Sequence, residues 1–344
     1  MNKLFNAAID AQASDLHLIA GSQPFIRIDG VLQPLPNSSP LAAAKLKEMV
    51  FALLTVEQKK RLEEEKDLDF SHETSNGDRL RINVHWEKGN IGLVARVIPG
   101  DVPTMEELAM PAKLYEVVRE QQGLILLTGP TGSGKTTSMA AMIDLINHER
   151  ASHIITLEDP IEYIHEPDKS IIIQRELGED MLSFQAGLKH ALRQDPNVIM
   201  VGEMRDLDTI AATLTLAETG HLVMATLHTH DAAQTVDRIV DVFPPHQQNQ
   251  IRLQLSFTLK AVLSQHLLPA KEGGRIAARE LMISTPAIAN IIRENKIAQL
   301  KNAIQTSSDY GMFTVEQDVK RLIEDGKLDE SIADNYLAAL PDTD

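Results

Sequence analysis

Polar and apolar residues alternate through Arg79-Leu80-Arg81-Ile82-Asn83-Val84-His85-Trp86, the period of a strand with one buried face. Lys88-Gly89-Asn90 supplies a turn, and a second alternating run from Ile91 to Ile98 predicts a hairpin. The hairpin would bring Arg79, Arg81 and Arg96 into one small sheet; the pattern leaves open whether Arg81 and Arg96 share a face. Charge dominates Gln58 to Asp69, and the spacing of Lys59 with Glu63 and of Arg61 with Glu65 predicts a solvated helix there. Pro99-Gly100-Asp101-Val102-Pro103, with Pro111 beyond it, punctuates the chain like a linker. The expected organisation is an N-terminal domain over 1–98, a linker over 99–111 and a second domain over 112–344.

After the linker, short runs of Val, Ile and Leu alternate with longer helical patterns, which predicts an α/β domain with a parallel sheet. Four of the runs end in polar residues. Leu124–Leu127 leads into a glycine-rich loop, Ile154–Leu157 into Glu158 and Asp159, Val198–Val201 into Glu203, and Leu222–Leu227 into His228. Ligands of open α/β sheets bind beyond the carboxyl ends of the strands, so these groups are expected to meet in one crevice. From about residue 286 the pattern is helical, with no catalytic punctuation.

Composition narrows the chemistry. Thirty-three Lys and Arg face 49 Asp and Glu, a net charge of −16, and aromatic residues are 4% of the 344. Such a chain repels phosphate backbones and has few rings for stacking bases, so no general nucleic-acid partner is expected. The absence of cysteine excludes a disulfide framework, a thiol nucleophile and any Cys-ligated metal. No apolar run approaches the ~20 residues of a membrane span. The opening reaches Asp10 before a signal core forms, so a cytoplasmic location is expected.

Gly129-Pro130-Thr131-Gly132-Ser133-Gly134-Lys135-Thr136 fits the phosphate-loop pattern in full, follows an apolar strand and opens a helix with Met139, Met142, Ile143 and Ile146 on one face. In such a loop, backbone N–H groups turn onto the β-phosphate and the lysine, here Lys135, reaches the β and γ oxygens. The Thr136 hydroxyl coordinates Mg²⁺. The expected cofactors are therefore ATP and Mg²⁺. Glu203, just past a buried run, is expected to hold Mg²⁺ through water or to polarise the attacking water as general base, the alternative being a cap for a helix starting near Leu207. Glu158, Asp159 and Glu162 crowd three acids into five residues and are assigned to the surroundings of the metal and its water, in an order the pattern leaves open; a solvated turn is the alternative. His228 is placed to hydrogen-bond the γ-phosphate, while His221 is either a second contact or structural. Arg193, Arg205 and Arg238 flank these motifs. A zinc site on the histidines is disfavoured for want of a third ligand.

Residues 129–137, Thr-Leu-Glu-Asp-Pro-Ile-Glu at 156–162, Asp-Pro-Asn-Val-Ile-Met-Val-Gly-Glu-Met-Arg-Asp at 195–206 and Thr-Gly-His-Leu-Val-Met-Ala-Thr-Leu-His-Thr at 219–229 resemble the Walker A, Asp box, Walker B and His box of secretion ATPases. Within that superfamily the chain is most similar to the pilus retraction ATPases of type IV pili. Ala13-Ser14-Asp15-Leu16-His17-Leu18 matches that family's opening, and Pro286-Ala287-Ile288-Ala289-Asn290-Ile291-Ile292-Arg293-Glu294 resembles its C-terminal motif, with Ala289 where the family usually has Arg. The resemblance implies a small α+β PAS-like domain, a RecA-like ATPase domain with a helical end, and a homo-hexamer. It places Thr137 with the nucleotide loop and implies that Arg81 and Arg96 reach the nucleotide. It also implies a motor for pilus retraction and twitching motility, peripheral to the inner membrane at the pilus base and acting on a membrane platform protein. The alternative reading is an accessory retraction ATPase, or a nucleotide-binding regulator, working with a paralogous main motor.

Overall fold

The computed structural model describes residues 1–28, 30–98 and 100–340. Pro99 of the expected linker, and the last four residues of the second domain, lie outside the described residues. The chain divides into two compact units, one of Met1–Asp101 with Pro160–Ile164 and one of Val102–Asp159 with His165–Asp344.

The first unit is built on an antiparallel sheet of β1 (Asp15–Leu18), β2 (Phe25–Ile28), β3 (Val31–Pro34), β4 (Asp67–Glu73), β5 (Arg79–Glu87) and β6 (Asn90–Ile98), in the order β3-β2-β1-β6-β5-β4. Alternation decides which face is covered. Leu16, Leu18, Ile82, Val84, Leu93 and Ala95 are buried on one side with Phe5, Leu46, Val50 and Leu62 from the helices Asn2–Asp10, Ala43–Phe51 and Val56–Glu65. The intervening positions carry Asp15, His17, Arg81, Asn83 and Arg96 on the opposite face. Arg81 pairs directly with Arg96, so the two do share a face.

The helix expected over Gln58 to Asp69 is shorter than the charge pattern suggested. A Thr55–Gln58 capping box starts it, and Lys66 in the left-handed region (φ 66°) ends it, so Asp67 to Asp69 open β4 and turn Leu68 into the core. The Arg61–Glu65 pair forms at 3.0 Å on the exposed face.

In the second unit β7 (Gly123–Thr128), β8 (His153–Glu158), β9 (Ile171–Glu176), β10 (Val198–Val201), β11 (Leu222–Leu227), β12 (Leu259–Pro269) and β13 (Arg275–Ile283) form a sheet of order β13-β12-β7-β11-β10-β8-β9. All neighbours run parallel except β12 with β13. Every residue of β7, β10 and β11 is buried, as helices on both faces of a parallel sheet require. Within the stretch 99–111, Met105 and Met110 are buried in this unit's core, so much of that punctuation is an ordered turn. From Pro286 the chain is helical, and Val319, Leu322 and Ala333 make a second small core with Leu268 and Ala278.

Candidate active site

The glycine loop joins β7 to the helix Lys135–Glu149, with Gly129, Gly132 and Gly134 at φ 138°, 77° and 84°. Two of these glycines are required by close approach. A Cβ on Gly129 would lie 2.1 Å from the Gln265 carbonyl oxygen and one on Gly134 2.9 Å from Gln265 Nε2, while nothing lies within 4 Å of a Cβ on Gly132. Lys135 is buried, and its Nζ donates to the carbonyls of Gly129 (2.8 Å) and Pro130 (2.9 Å). Thr136 and Thr137 stand half-buried in the first helical turn.

The parallel register brings the ends of β10 and β11 beside this loop, with Leu227 opposite Thr128. His228 follows β11; its Nδ1 is 3.5 Å from Lys135 Nζ, and its Nε2 is 3.1 Å from Glu203 Oε1. This pattern assigns the ring proton to Nε2 and leaves Nδ1 to accept from the ammonium. The other Glu203 oxygen takes Arg205 Nε at 2.9 Å. Asp206, whose carboxylate accepts from Thr209 N at 2.8 Å, caps the helix Leu207–Glu218, so the capping alternative for Glu203 does not hold. Thr226 Oγ1 donates to the Gly202 carbonyl and Met204 N donates to the Thr226 carbonyl, pinning the backbone on either side of Glu203. Glu203, Met204, Arg205, Leu227, His228 and Arg238 line a cleft of about 340 Å³.

The other expected residues are placed less uniformly. Glu158, at the end of β8, is buried and its Oε1 accepts from Thr156 Oγ1 (2.7 Å) and Gln174 Nε2 (3.1 Å), while Asp159 is exposed. Glu162 belongs to the segment Pro160–Ile164 of the first unit. His221 is corrected: it precedes β11 at the amino end, level with the start of β7. Its Nδ1 lies 3.0 Å from the Leu216 carbonyl, so it secures the helix Leu207–Glu218 at the end of the sheet away from the glycine loop.

In the first unit Arg96 Nε binds Asp15 Oδ1 at 2.9 Å, Ser14 Oγ donates to Asp15 Oδ2 at 2.7 Å, and Arg27 Nε stands 3.9 Å from the same oxygen. Burial opposes ionisation of Asp15, but the hydrogen bonds from Ser14 and Arg96 outweigh it and hold the carboxyl below its ordinary range. The expected basic residues Arg81 and Arg96 thus stand in one cross-strand row of Arg81, Arg96, Asp15 and Arg27.

Sequence reasoning missed Gln265 on β12. Its Nε2 donates to the Ser133 carbonyl (2.6 Å), and its Oε1 accepts from Ser138 Oγ (3.0 Å) and Arg279 Nε (3.1 Å). The available signal was Ser264-Gln265-His266, polar residues inside an apolar run with no solvent-facing side.

The loop fits a bound phosphate: the lysine is buried, a side-chain methyl is excluded at two glycines, and Ser133 Oγ is buried without a hydrogen-bond partner. Set between a buried parallel strand and a helix, with a Glu–His pair at the ends of the next strands, it defines a P-loop ATPase. A family model for type II/IV secretion system proteins matches residues 1–296. The chain is 48% identical over 314 residues to the type IV pilus retraction ATPase PilT of Pseudomonas aeruginosa, covering 91% of each. It is 45% identical over 309 residues to the twitching motility protein of Neisseria gonorrhoeae, covering 90% of this chain and 82% of that one. A crystal structure of the pilus retraction motor PilT with bound ADP matches at a TM-score of 0.92 and 43% identity, covering 99% of this chain and 97% of that chain. The chain belongs to the type II/IV secretion system protein family.

Proposed function

We propose that this chain is a Mg²⁺-dependent ATPase motor that works as a homo-hexamer to retract type IV pili, producing twitching motility. The observation that carries the reading is the line Lys135–His228–Glu203 at the carboxyl ends of the parallel strands, in a chain similar to a pilus retraction ATPase along nearly its whole length.

The residues divide the work by chemistry. Backbone N–H groups from Gly129 to Thr137 bind the phosphates, and Lys135 moves from the loop carbonyls to the β and γ oxygens. The Thr136 hydroxyl would hold Mg²⁺, with Glu203 and Glu162 acting through water, and the ion bound there would supply positive charge against that of the phosphates. Glu203 accepts the proton of the attacking water. His228 hydrogen-bonds the γ-phosphate and returns to Lys135 and Glu203 when phosphate leaves. Glu158 and Asp159 tune the surroundings of the water. Arg81 and Arg96 supply positive charge to the nucleotide of an adjacent copy, which makes hydrolysis depend on assembly. Among the described residues no helix is long and apolar enough to cross a membrane, which suits a motor peripheral to the inner membrane that acts on a separate platform protein.

The test pairs biochemistry with cells. Replacing the gene's product by Lys135→Ala or Glu203→Gln is expected to abolish twitching while leaving surface pili assembled. Normal twitching with either variant would end the motor reading.

A further inference from the structure

Arg279 lies on β13 and is 5% exposed; among the described residues its guanidinium makes no direct ion pair, the Asp318 carboxylate acting on its charge only from a distance. Its Nε donates to Gln265 Oε1 (3.1 Å), one terminal nitrogen to the Ala109 carbonyl (3.0 Å) and the other to the Leu108 carbonyl (2.8 Å). Its backbone N–H donates to Asp318 Oδ2 at 2.8 Å, and Asp318 Oδ1 accepts from Arg321. Burial lowers the guanidinium to about 10, so it stays charged at neutral pH. Burying a cation against neutral oxygens is costly. A rigid fork of donors offsets that cost where it holds three acceptors on two separate segments, β12 and the turn at Leu108–Ala109, in one geometry.

The segments joined are informative. Gln265 grips the phosphate loop on both sides. Its Nε2 holds the Ser133 carbonyl, its own carbonyl closes on Gly129, and Oε1 is shared between Ser138 of the following helix and Arg279. Leu108 and Ala109 end the turn that begins at Thr104, three residues after the first unit ends at Asp101. That turn is stiff. Thr104 and Glu107 cap each other's backbone N–H groups, Met105 and Met110 are buried, and Ala109 is held at φ 46°, a strained value for a residue with a side chain.

We infer that Arg279 is a positioning residue that couples the phosphate loop, through Gln265, to the turn Thr104–Met110 by which the chain leaves its N-terminal unit. A shift of the Ser133 carbonyl when nucleotide fills the loop moves the Gln265 amide, and the amide carries the fork and both turn carbonyls with it. The inference rests on the phosphate loop binding nucleotide, as proposed above.

Amide hydrogen exchange of the full chain, with and without ADP and Mg²⁺, reads this coupling in the segment 104–110, and a fluorescent ADP titration on the same samples reads binding separately. In the native chain, exchange across 104–110 is expected to slow roughly fivefold with ADP, the fold-change of one net hydrogen bond. Arg279→Met is expected to bind ADP and lose that slowing. Gln265→Met, which leaves the Arg279 contacts to Leu108 and Ala109 intact, is expected to lose it too, and this variant serves where the first does not fold. ADP-dependent slowing that persists in either folded variant overturns the coupling, as does native protein that binds ADP with no change in 104–110. Absence of ADP binding by native protein instead overturns the nucleotide reading, and the coupling with it.

Discussion

His228 bridges Lys135 and Glu203: Nδ1 is 3.5 Å from the lysine Nζ and Nε2 is 3.1 Å from the glutamate Oε1. One imidazole therefore joins the residue proposed to bind phosphate to the residue proposed to activate water. A lysine drawn away by a γ-phosphate frees Nδ1, and a proton accepted by Glu203 frees Nε2, so the ring is sensitive to both events.

Replacing His228 with Ala is expected to lower kcat roughly 10- to 100-fold. The estimate takes one hydrogen bond to a charged group at about 1.5–3 kcal/mol. ADP affinity is expected to change little, because ADP lacks the γ-phosphate that His228 is proposed to contact. Steady-state phosphate release and ADP titration measure the two effects, and an unchanged kcat would remove His228 from the mechanism.

Gly129→Ala tests the close approach of β12 to the phosphate loop. The new Cβ would meet the Gln265 carbonyl oxygen at 2.1 Å on a residue at φ 138°, so the loop must shift. The strain is expected to cost about 1–3 kcal/mol. It should appear as a lower Tm together with at least tenfold weaker nucleotide binding. Gly132→Ala, with open space around its Cβ, is expected to bind nucleotide better than Gly129→Ala.

Glu280 makes stability depend on pH. Burial is the largest influence on it and raises its carboxyl from 4.5 to about 7, although the Ala232 N–H donating at 2.8 Å favours the charged form. Below the unfolded value both states are protonated and the group contributes nothing. As pH rises toward 7 the unfolded chain releases its proton first, and the folded state loses stability by roughly 3 kcal/mol at about 1.4 kcal/mol per unit. Glu280→Gln, which keeps an oxygen for the Ala232 N–H, is expected to raise Tm at pH 8 and leave it nearly unchanged at pH 4. Thermal melts at the two values decide it, and an equal effect at both would mean that the buried charge is not the cause.

Arg81→Ala and Arg96→Ala are expected to lower hydrolysis about 10³-fold or more, the range for arginines that meet transition-state charge. Mixing Arg81→Ala protein, whose phosphate loop is intact, with Lys135→Ala protein, whose arginines are intact, is expected to restore part of the activity. A mixture no more active than its separate components would place the arginines outside the neighbour's site.

Much of this was legible from local patterns. The hairpin from Arg79 to Ile98 follows from its alternation, and the glycine loop, Glu203 and His228 follow from polar residues at the ends of apolar runs, as parallel topology demands. What escaped depends on long-range register. Neither β12 nor β13 carries a strand-like alternation, because most of β12 and the stretch Ala278–Ile283 of β13 are buried, and so Gln265 and Arg279 had no motif to mark them. Of the two readings of His221, the structural one matches its place before β11, since the run Leu222–Leu227 carries only its far end, at His228, toward the loop. The helix after Gln58 was drawn too long because charge spacing ignores the left-handed turn at Lys66.

The central claim is that the phosphate loop and Glu203 hydrolyse ATP in an assembled ring. Its most direct test is Mg²⁺-dependent phosphate release by the purified chain over a wide range of protein concentration, with Glu203→Gln alongside and nucleotide binding followed in both. The account predicts a specific rate that rises with concentration, and a variant that binds nucleotide yet turns over about 10²- to 10⁴-fold more slowly. A Glu203→Gln protein that hydrolyses ATP at the native rate would contradict it.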